Sequence, residues 1–135
     1  MPYRGLLYVG LMLTETGPRV VEFNCRFGDP ECQPLVLALE SDLLPLLDAT
    51  ARGLLVEQEP PRFHSGSSLC VVLVSGGYPG PYERGLRITG IPEASEDAVV
   101  FHAGTCRHSD GQLVTSGGRV LGVVGGRRRF RGYSL

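Results

Sequence analysis

The chain has 135 residues, a net charge of −1 and 42% hydrophobic residues, enough for one sizeable core or two small lobes that share one. No apolar run reaches the ~18–20 residues that cross a bilayer, and no basic-apolar-small leader opens the sequence. The four cysteines at 25, 32, 70 and 106 form no C-x-x-C pair, which argues against zinc and redox motifs and for free, mostly buried thiols in a reducing, cytoplasmic setting.

Residues 5–24 read as a β-hairpin around the turn Thr14-Glu15-Thr16-Gly17-Pro18. Its second arm, Arg19-Val20-Val21-Glu22-Phe23-Asn24, alternates like a half-buried strand, with Val20, Glu22 and Asn24 on one side and Arg19, Val21 and Phe23 on the other. A carboxylate and a carboxamide then lie side by side, roughly 6–7 Å apart at the backbone. Both are hard oxygen donors of the kind Mg²⁺ takes together with phosphate oxygens and water. Arg26, just past the strand, can present a guanidinium to the same phosphates. A solvated strand face is the plain alternative for Glu22-x-Asn24. Against it stands the next segment, Arg26-Phe27-Gly28-Asp29-Pro30-Glu31, where glycine and proline constrain the backbone and three charges crowd together.

From Glu31 to Gly53 the leucine-rich sequence reads as two helices, with Ser41-Asp42 as the N-cap between them, Pro45 in the tolerated first turn and Gly53 as the stop. Residues 57–64, with Pro60-Pro61, read as a linker. Short β segments follow at 67–74, 86–90, 98–103, 112–115 and 119–124, divided by glycine-rich turns, and the change of period puts a boundary near residue 60. Ser75-Gly76-Gly77-Tyr78-Pro79-Gly80-Pro81 can aim backbone N–H groups at an anion or serve as a turn between strands, the turn being the simpler reading. Ser116-Gly117-Gly118-Arg119 admits the same two readings. There the arginine favours a ligand role, since glycine lets backbone approach closely while Arg119 brings charge. His102 reads as a packed, hydrogen-bonded residue rather than a base, and His64 and His108 as linker and turn residues without specific work. The last eleven residues, 125–135, hold four arginines among glycines with no apolar period, the pattern of a disordered tail.

Several of these segments, in the same order, resemble the glycinamide ribonucleotide synthetases, also called phosphoribosylamine–glycine ligases, which are ATP-grasp enzymes of purine synthesis. The likeness runs from about Pro2 to Val124. It is carried by Tyr3-Arg4-Gly5-Leu6-Leu7-Tyr8-Val9-Gly10-Leu11-Met12-Leu13, by Val20 through Glu31, by Ser75 through Gly80 with Phe101-His102-Ala103-Gly104-Thr105, and by Thr115-Ser116-Gly117-Gly118-Arg119-Val120-Leu121. The cysteines at 25 and 32 are closer to the animal versions, in which this enzyme opens a multifunctional polypeptide.

The resemblance implies an α+β fold: the carboxy-terminal part of an ATP-grasp domain over residues 1–59, then a small, truncated β-rich domain over 60–124. It implies ATP and Mg²⁺, or Mn²⁺ in its place, with Glu22 and Asn24 on the metal, Arg26 and Asp29 in catalysis, and Arg26, Gly117, Gly118 and Arg119 on the nucleotide. The reaction implied transfers the γ-phosphoryl group to the glycine carboxylate, and the amine of 5-phosphoribosylamine then attacks the glycyl phosphate. For Asp29 and Glu31, orienting the glycine ammonium, orienting Arg26 and starting a helix beside Pro30 all stay open. The expected partners are the two substrates and upstream lobes of the same enzyme, with no membrane and no nucleic acid.

The sequence also departs from the family. All 13 basic residues are arginine, so no lysine can meet the nucleotide phosphates. The likeness begins late in the family's sequence, and it ends at Val124, where the synthetases continue with helix and a final strand. Loss of those helices would leave an apolar face of the second lobe exposed and prone to aggregation. Residues 5–13 hold no acid, which suits the family but leaves the number of metal ions open. Three other readings remain: a different ATP-grasp ligase, a non-catalytic product or interaction module, and a nucleic-acid binder. The last rests on the tail alone, since nine arginines in residues 1–126 face 14 acidic residues, a net of −5.

Overall fold

The computed structural model describes residues 2–92 and 98–126. The chain opens with the expected hairpin, β1 (Tyr8–Thr14) and β2 (Gly17–Asn24). Gly17 takes φ 107°, a backbone state that glycine enters freely, and Thr14 Oγ1 donates to Gly17 O at 2.6 Å across the turn. The register shifts between Gly10 and Leu11, because Glu22 opposes Gly10 while Val20 opposes Leu11 and Val21 is the extra residue. Such a bulge increases local twist and re-aims the residues beyond it. Glu22 and Asn24 both lie past it, so their shared face survives.

The helical region resolves into α1 (Cys32–Ala38) and α2 (Leu43–Arg52). Asp42 Oδ1 accepts from Leu44 N at 3.0 Å, the bond expected of an N-cap, and Gly53 ends α2 in the left-handed region at φ 76°. The segment read as a linker is tied down instead. Leu55–Glu57 form a 3₁₀ turn, and residues 62–64 fold back on the end of α1 through Glu40 N to Arg62 O at 2.8 Å and His64 N to Ala38 O at 2.9 Å. The proline pair exits a short turn and re-enters pairing.

The second part carries β3 (Ser68–Val74), β4 (Ala98–His102), β5 (Thr105–Arg107), β6 (Leu113–Thr115) and β7 (Arg119–Gly126). β7 is the centre of an antiparallel sheet ordered β3-β7-β4, while β5 and β6 form a separate pair. Residues 86–90 do not form a regular strand. Gly85 and Gly90, both near φ 80°, bracket them, and they reach β6 through a bridge at Arg87 and backbone bonds at Leu86 and Ile88. β7 continues through Gly125 and Gly126, two residues into the stretch read as tail. The rest of that stretch, 127–135, lies outside the described residues.

The core sits where α1 covers β3 and β7. Leu37, Leu39, Val120 and Leu121 are buried, and Val124 is fully so. Outside it, much apolar surface is open. Leu69, Val71 and Leu73 on one face of β3 are exposed. The hairpin departs from the half-buried strand: Leu11, Leu13, Val21 and Phe23 are all exposed, and only the ends of β2 are half-buried. Alternation prepares a strand to bury one face, but burial needs a second layer, and the described residues supply none.

Val124→Ala removes two methyl groups from the centre of the core and is expected to cost about 2 kcal/mol. The check is the urea midpoint at unchanged slope, compared with Val9→Ala on the exposed hairpin, which should shift it little.

Candidate active site

Glu22 and Asn24 meet as their spacing requires, with Asn24 Nδ2 donating to Glu22 Oε1 at 3.0 Å. That bond turns Glu22 Oε2 and Asn24 Oδ1 toward no protein partner among the described residues. Gly10 faces Glu22 across the hairpin, and a Cβ there would stand 3.1 Å from Glu22 Cγ. The glycine leaves room for the carboxylate stem. Among the described residues no group of three or more His, Cys, Asp or Glu could hold a metal alone. Two oxygen donors fit Mg²⁺ only as part of a shell completed by phosphate oxygens and water, the usual Mg²⁺-nucleotide arrangement.

Beyond β2 the turn 25–31 is held from two sides. Tyr8, opposite Asn24 in the hairpin, donates its hydroxyl to Glu31 Oε1 at 3.2 Å. Partial desolvation, then the Glu31 carboxylate and finally Glu22 push the Tyr8 phenol above its ordinary range. From the far side, Arg119 Nη2 meets Asp29 Oδ2 at 3.0 Å and Arg119 Nη1 donates to Asp29 O at 3.1 Å. Gln33 Nε2 donates to Asp29 Oδ1 at 3.3 Å, while Gln33 Oε1 is buried without a partner among the described residues. Asp29, Gln33, Tyr78, Gly118 and Arg119 line a cavity of about 330 Å³ between the two parts of the chain.

Arg26 bonds neither to Glu22 nor to Asn24. Its Nη1 donates to Phe27 O at 2.8 Å, within its own turn. Gly117 and Gly118 do allow a close approach, but to protein. A Cβ on Gly117 would stand 3.0 Å from Gly104 Cα, and one on Gly118 would strike the Tyr78 ring. Ser75 to Tyr78 forms a turn, closed by Tyr78 N to Ser75 O at 3.0 Å and fastened by the buried Ser75 Oγ to Gly117 O at 2.9 Å. The turn reading of that motif is the one the coordinates bear out.

The histidines and cysteines need correction. His102 is exposed at the end of β4, with Nδ1 3.1 Å from Thr105 Oγ1, because the sheet edge leaves its face open. His64 and His108 pair with Glu40 and Asp110, both at 3.3 Å, and pin their turns. Cys25 and Cys106 are exposed, and Cys32 and Cys70 are half-buried. Burial, with Asp29 adding to it, pushes the Cys32 and Cys70 thiols up. Sequence reasoning missed Tyr8 and Gln33. The Tyr8 signal was available in its place opposite Asn24 two residues from the bulge, whereas Gln33 depends on a tertiary neighbour.

Residues 68–131 match the phosphoribosylglycinamide synthetase C domain, and residues 1–32 match the ATP-grasp (A) domain of the same synthetase. This chain belongs to the phosphoribosylglycinamide synthetase family. Among its relatives is a phosphoribosylamine–glycine ligase of Caulobacter vibrioides, 55% identical over 123 residues, which are 90% of this chain and 29% of that protein. The human trifunctional purine biosynthetic protein adenosine-3 is 52% identical over 91% of this chain and 12% of its own length. A crystal structure of the Thermotoga maritima phosphoribosylamine–glycine ligase superposes with a TM-score of 0.71 at 39% identity, over 88% of this chain and 28% of that one. The chain thus spans less than a third of the length of the ligases it matches. Bacterial and animal relatives are similarly close to it.

Gly118→Ala drives a methyl into the Tyr78 ring and is expected to cost about 1–3 kcal/mol. Tyr78→Ala in the same chain should return part of that loss. Gly104→Ala meets backbone at Gly117 and Arg119, so Tyr78→Ala should not rescue it. Thermal melts of the four single and double variants decide both points.

Proposed function

We propose that this chain supplies the metal- and phosphate-facing part of an ATP-dependent ligase that joins glycine to 5-phosphoribosylamine, giving glycinamide ribonucleotide, ADP and phosphate. The observation that carries the reading is the Glu22–Asn24 pair, with one oxygen of each side chain open, on a strand that leads directly into a turn bearing Arg26 and braced at Asp29 and Glu31. The names of the relatives give it its substrates.

Glu22 and Asn24 would hold Mg²⁺, or Mn²⁺ in its place, which when bound neutralises charge on the nucleotide phosphates. Phosphoryl transfer asks chiefly for positioning and for charge stabilisation in a dry site. Arg26 has to leave Phe27 O to reach the transferring group, and its exposure permits that. The glycine carboxylate takes the phosphoryl group, and the amine of 5-phosphoribosylamine then displaces phosphate from the acyl carbon. Asp29 orients the turn, while Gly118 and Arg119 stand at the cavity beside it and Gly117 packs on Gly104. The division between the ATP-grasp and β-rich parts falls near residue 60, with residues 62–64 folded back on the first part. No helix of the described residues is long and apolar enough to cross a membrane, and a cytoplasmic setting is part of the proposal.

The reading is tested in a chimera of the Caulobacter vibrioides ligase whose matched region is replaced by residues 2–124 of this chain. Glu22→Ala should abolish glycine-dependent ADP formation without disturbing the fold, and Asn24→Ala should be less severe because a neutral ligand binds Mg²⁺ more weakly than a carboxylate. Arg26→Lys keeps the charge but loses the fork, so kcat should fall more than the KM for ATP rises. Near-parental turnover of Glu22→Ala at limiting Mg²⁺ would sink the metal assignment. The 135 residues assayed alone should give no turnover, because both substrates must be positioned away from water. Activity within about tenfold of the chimera would refute that division of labour.

A further inference from the structure

We propose that Arg119 is a positioning residue: it acts on the proposed phosphoryl-transfer site through Asp29, by clamping the turn 25–31 to the β-rich part, and does not itself contact the nucleotide. This inference rests on the reading of Glu22, Asn24 and Arg26 given above, and it replaces the nucleotide role that the glycine-arginine motif suggested.

Three observations support it. The first is geometry. Both terminal nitrogens of Arg119 are spent on one residue, Nη2 on the Asp29 carboxylate at 3.0 Å and Nη1 on the Asp29 backbone oxygen at 3.1 Å. Grasping side chain and main chain together fixes a residue's orientation as a single ion pair does not, and the planar guanidinium fork is suited to it. The second is placement. The bond joins residues 90 apart in sequence. Apart from the bonds that tie residues 62–64, just past the division, to the end of α1 and to Glu40, it is the polar bond described above that links the hairpin-and-helix part to the β-rich part. The third is the surroundings. Gly117 and Gly118 press against Gly104 and Tyr78, so the backbone that a phosphate would approach is already packed, while Arg119 is turned to the cavity wall that Asp29 and Gln33 complete.

The consequence for the site is a lever. Asp29 lies three residues from Arg26 and begins the sequence into α1, where Cys32 N donates to Gly28 O at 3.0 Å. Releasing Asp29 frees the turn that aims Arg26 while leaving the Glu22–Asn24 pair on its strand intact. Local opening of this kind needs no global unfolding.

The cysteines report it in the chain as it is, without nucleotide. Cys32 starts α1 beside the clamp and is half-buried; Cys106 in β5 reports on the β-rich part away from Asp29, whose influence reaches Cys70 as well. In Arg119→Gln, alkylation of Cys32 by iodoacetamide should accelerate about threefold or more, with Cys106 within about twofold of wild type. The electrostatic effect alone has the opposite sign. Asp29 already raises the Cys32 thiol, and stripping it of Arg119 strengthens that influence, lowers the thiolate fraction and slows the reaction. Arg119→Lys restores the charge but cannot span both Asp29 oxygens, so it should rescue Cys32 protection only in part. An unchanged or slower Cys32 in Arg119→Gln overturns the clamp. Equal acceleration of Cys32 and Cys106 overturns it too, since Arg119 would then support the β-rich part as a whole. In the chimeric ligase, Arg119→Gln should lower kcat about tenfold with the KM for ATP within about twofold, whereas a rise confined to that KM means direct nucleotide contact and overturns the proposal. The thiol rates stand whether or not the metal assignment does.

Discussion

The turn from Cys25 to Glu31 depends on being gripped at two points two residues apart. Tyr8 holds Glu31 from the hairpin side, and Arg119 holds Asp29 from the central strand of the β3-β7-β4 sheet. Neither bond is buried, and exposed charge pairs usually contribute little to stability. Their value is directional. A seven-residue segment between a strand and a helix has many conformations available to it, and removing them costs entropy that the short α1 cannot recover alone. Two side-chain bonds that reach in from separate elements select one path for the turn that follows Glu22 and Asn24.

The hairpin that carries the metal-type pair shows the opposite balance. Its backbone is well paired and its turn well made, yet apolar side chains on both faces remain open. A two-stranded hairpin in water is marginal without a packed face, and such a surface ordinarily marks an interface. The chain spans only 29% of the Caulobacter vibrioides ligase it matches. Among the described residues no second layer packs on the hairpin, and its apolar faces stay open.

Much of this was legible in the order of residues. The hairpin and its turn, the Asp42 cap, the Gly53 stop and the shared face of Glu22 and Asn24 all follow from local rules of period, capping and turn chemistry, because each is decided within a few residues. What could not be read was decided at long range. The fate of residues 86–90 depends on two glycines and on what β6 offers, and β5 is three residues long with no period to show. The exposure of His102, Cys25 and Cys106 depends on which faces have neighbours. Alternation announces that a face could be buried, and it is silent on whether anything arrives to bury it.

The glycines of Ser116-Gly117-Gly118-Arg119 show why one motif admits two kinds of chemistry. A pair of glycines followed by arginine is what a phosphate cradle requires, but it is equally what two backbone segments require when they cross without room for a Cβ. The distinction lies in what fills the space. Here it is Gly104 and the ring of Tyr78, and the arginine that would have met a phosphate meets Asp29 instead. In the proposed reading the same side chain still bears on phosphoryl transfer, because a guanidinium that fixes a turn beside reacting groups acts on their geometry as surely as one that touches them. A positive charge near a proposed phosphate site is therefore weak evidence of contact until its partners are known, and Arg119 has both of its terminal nitrogens engaged by one residue of the turn it faces.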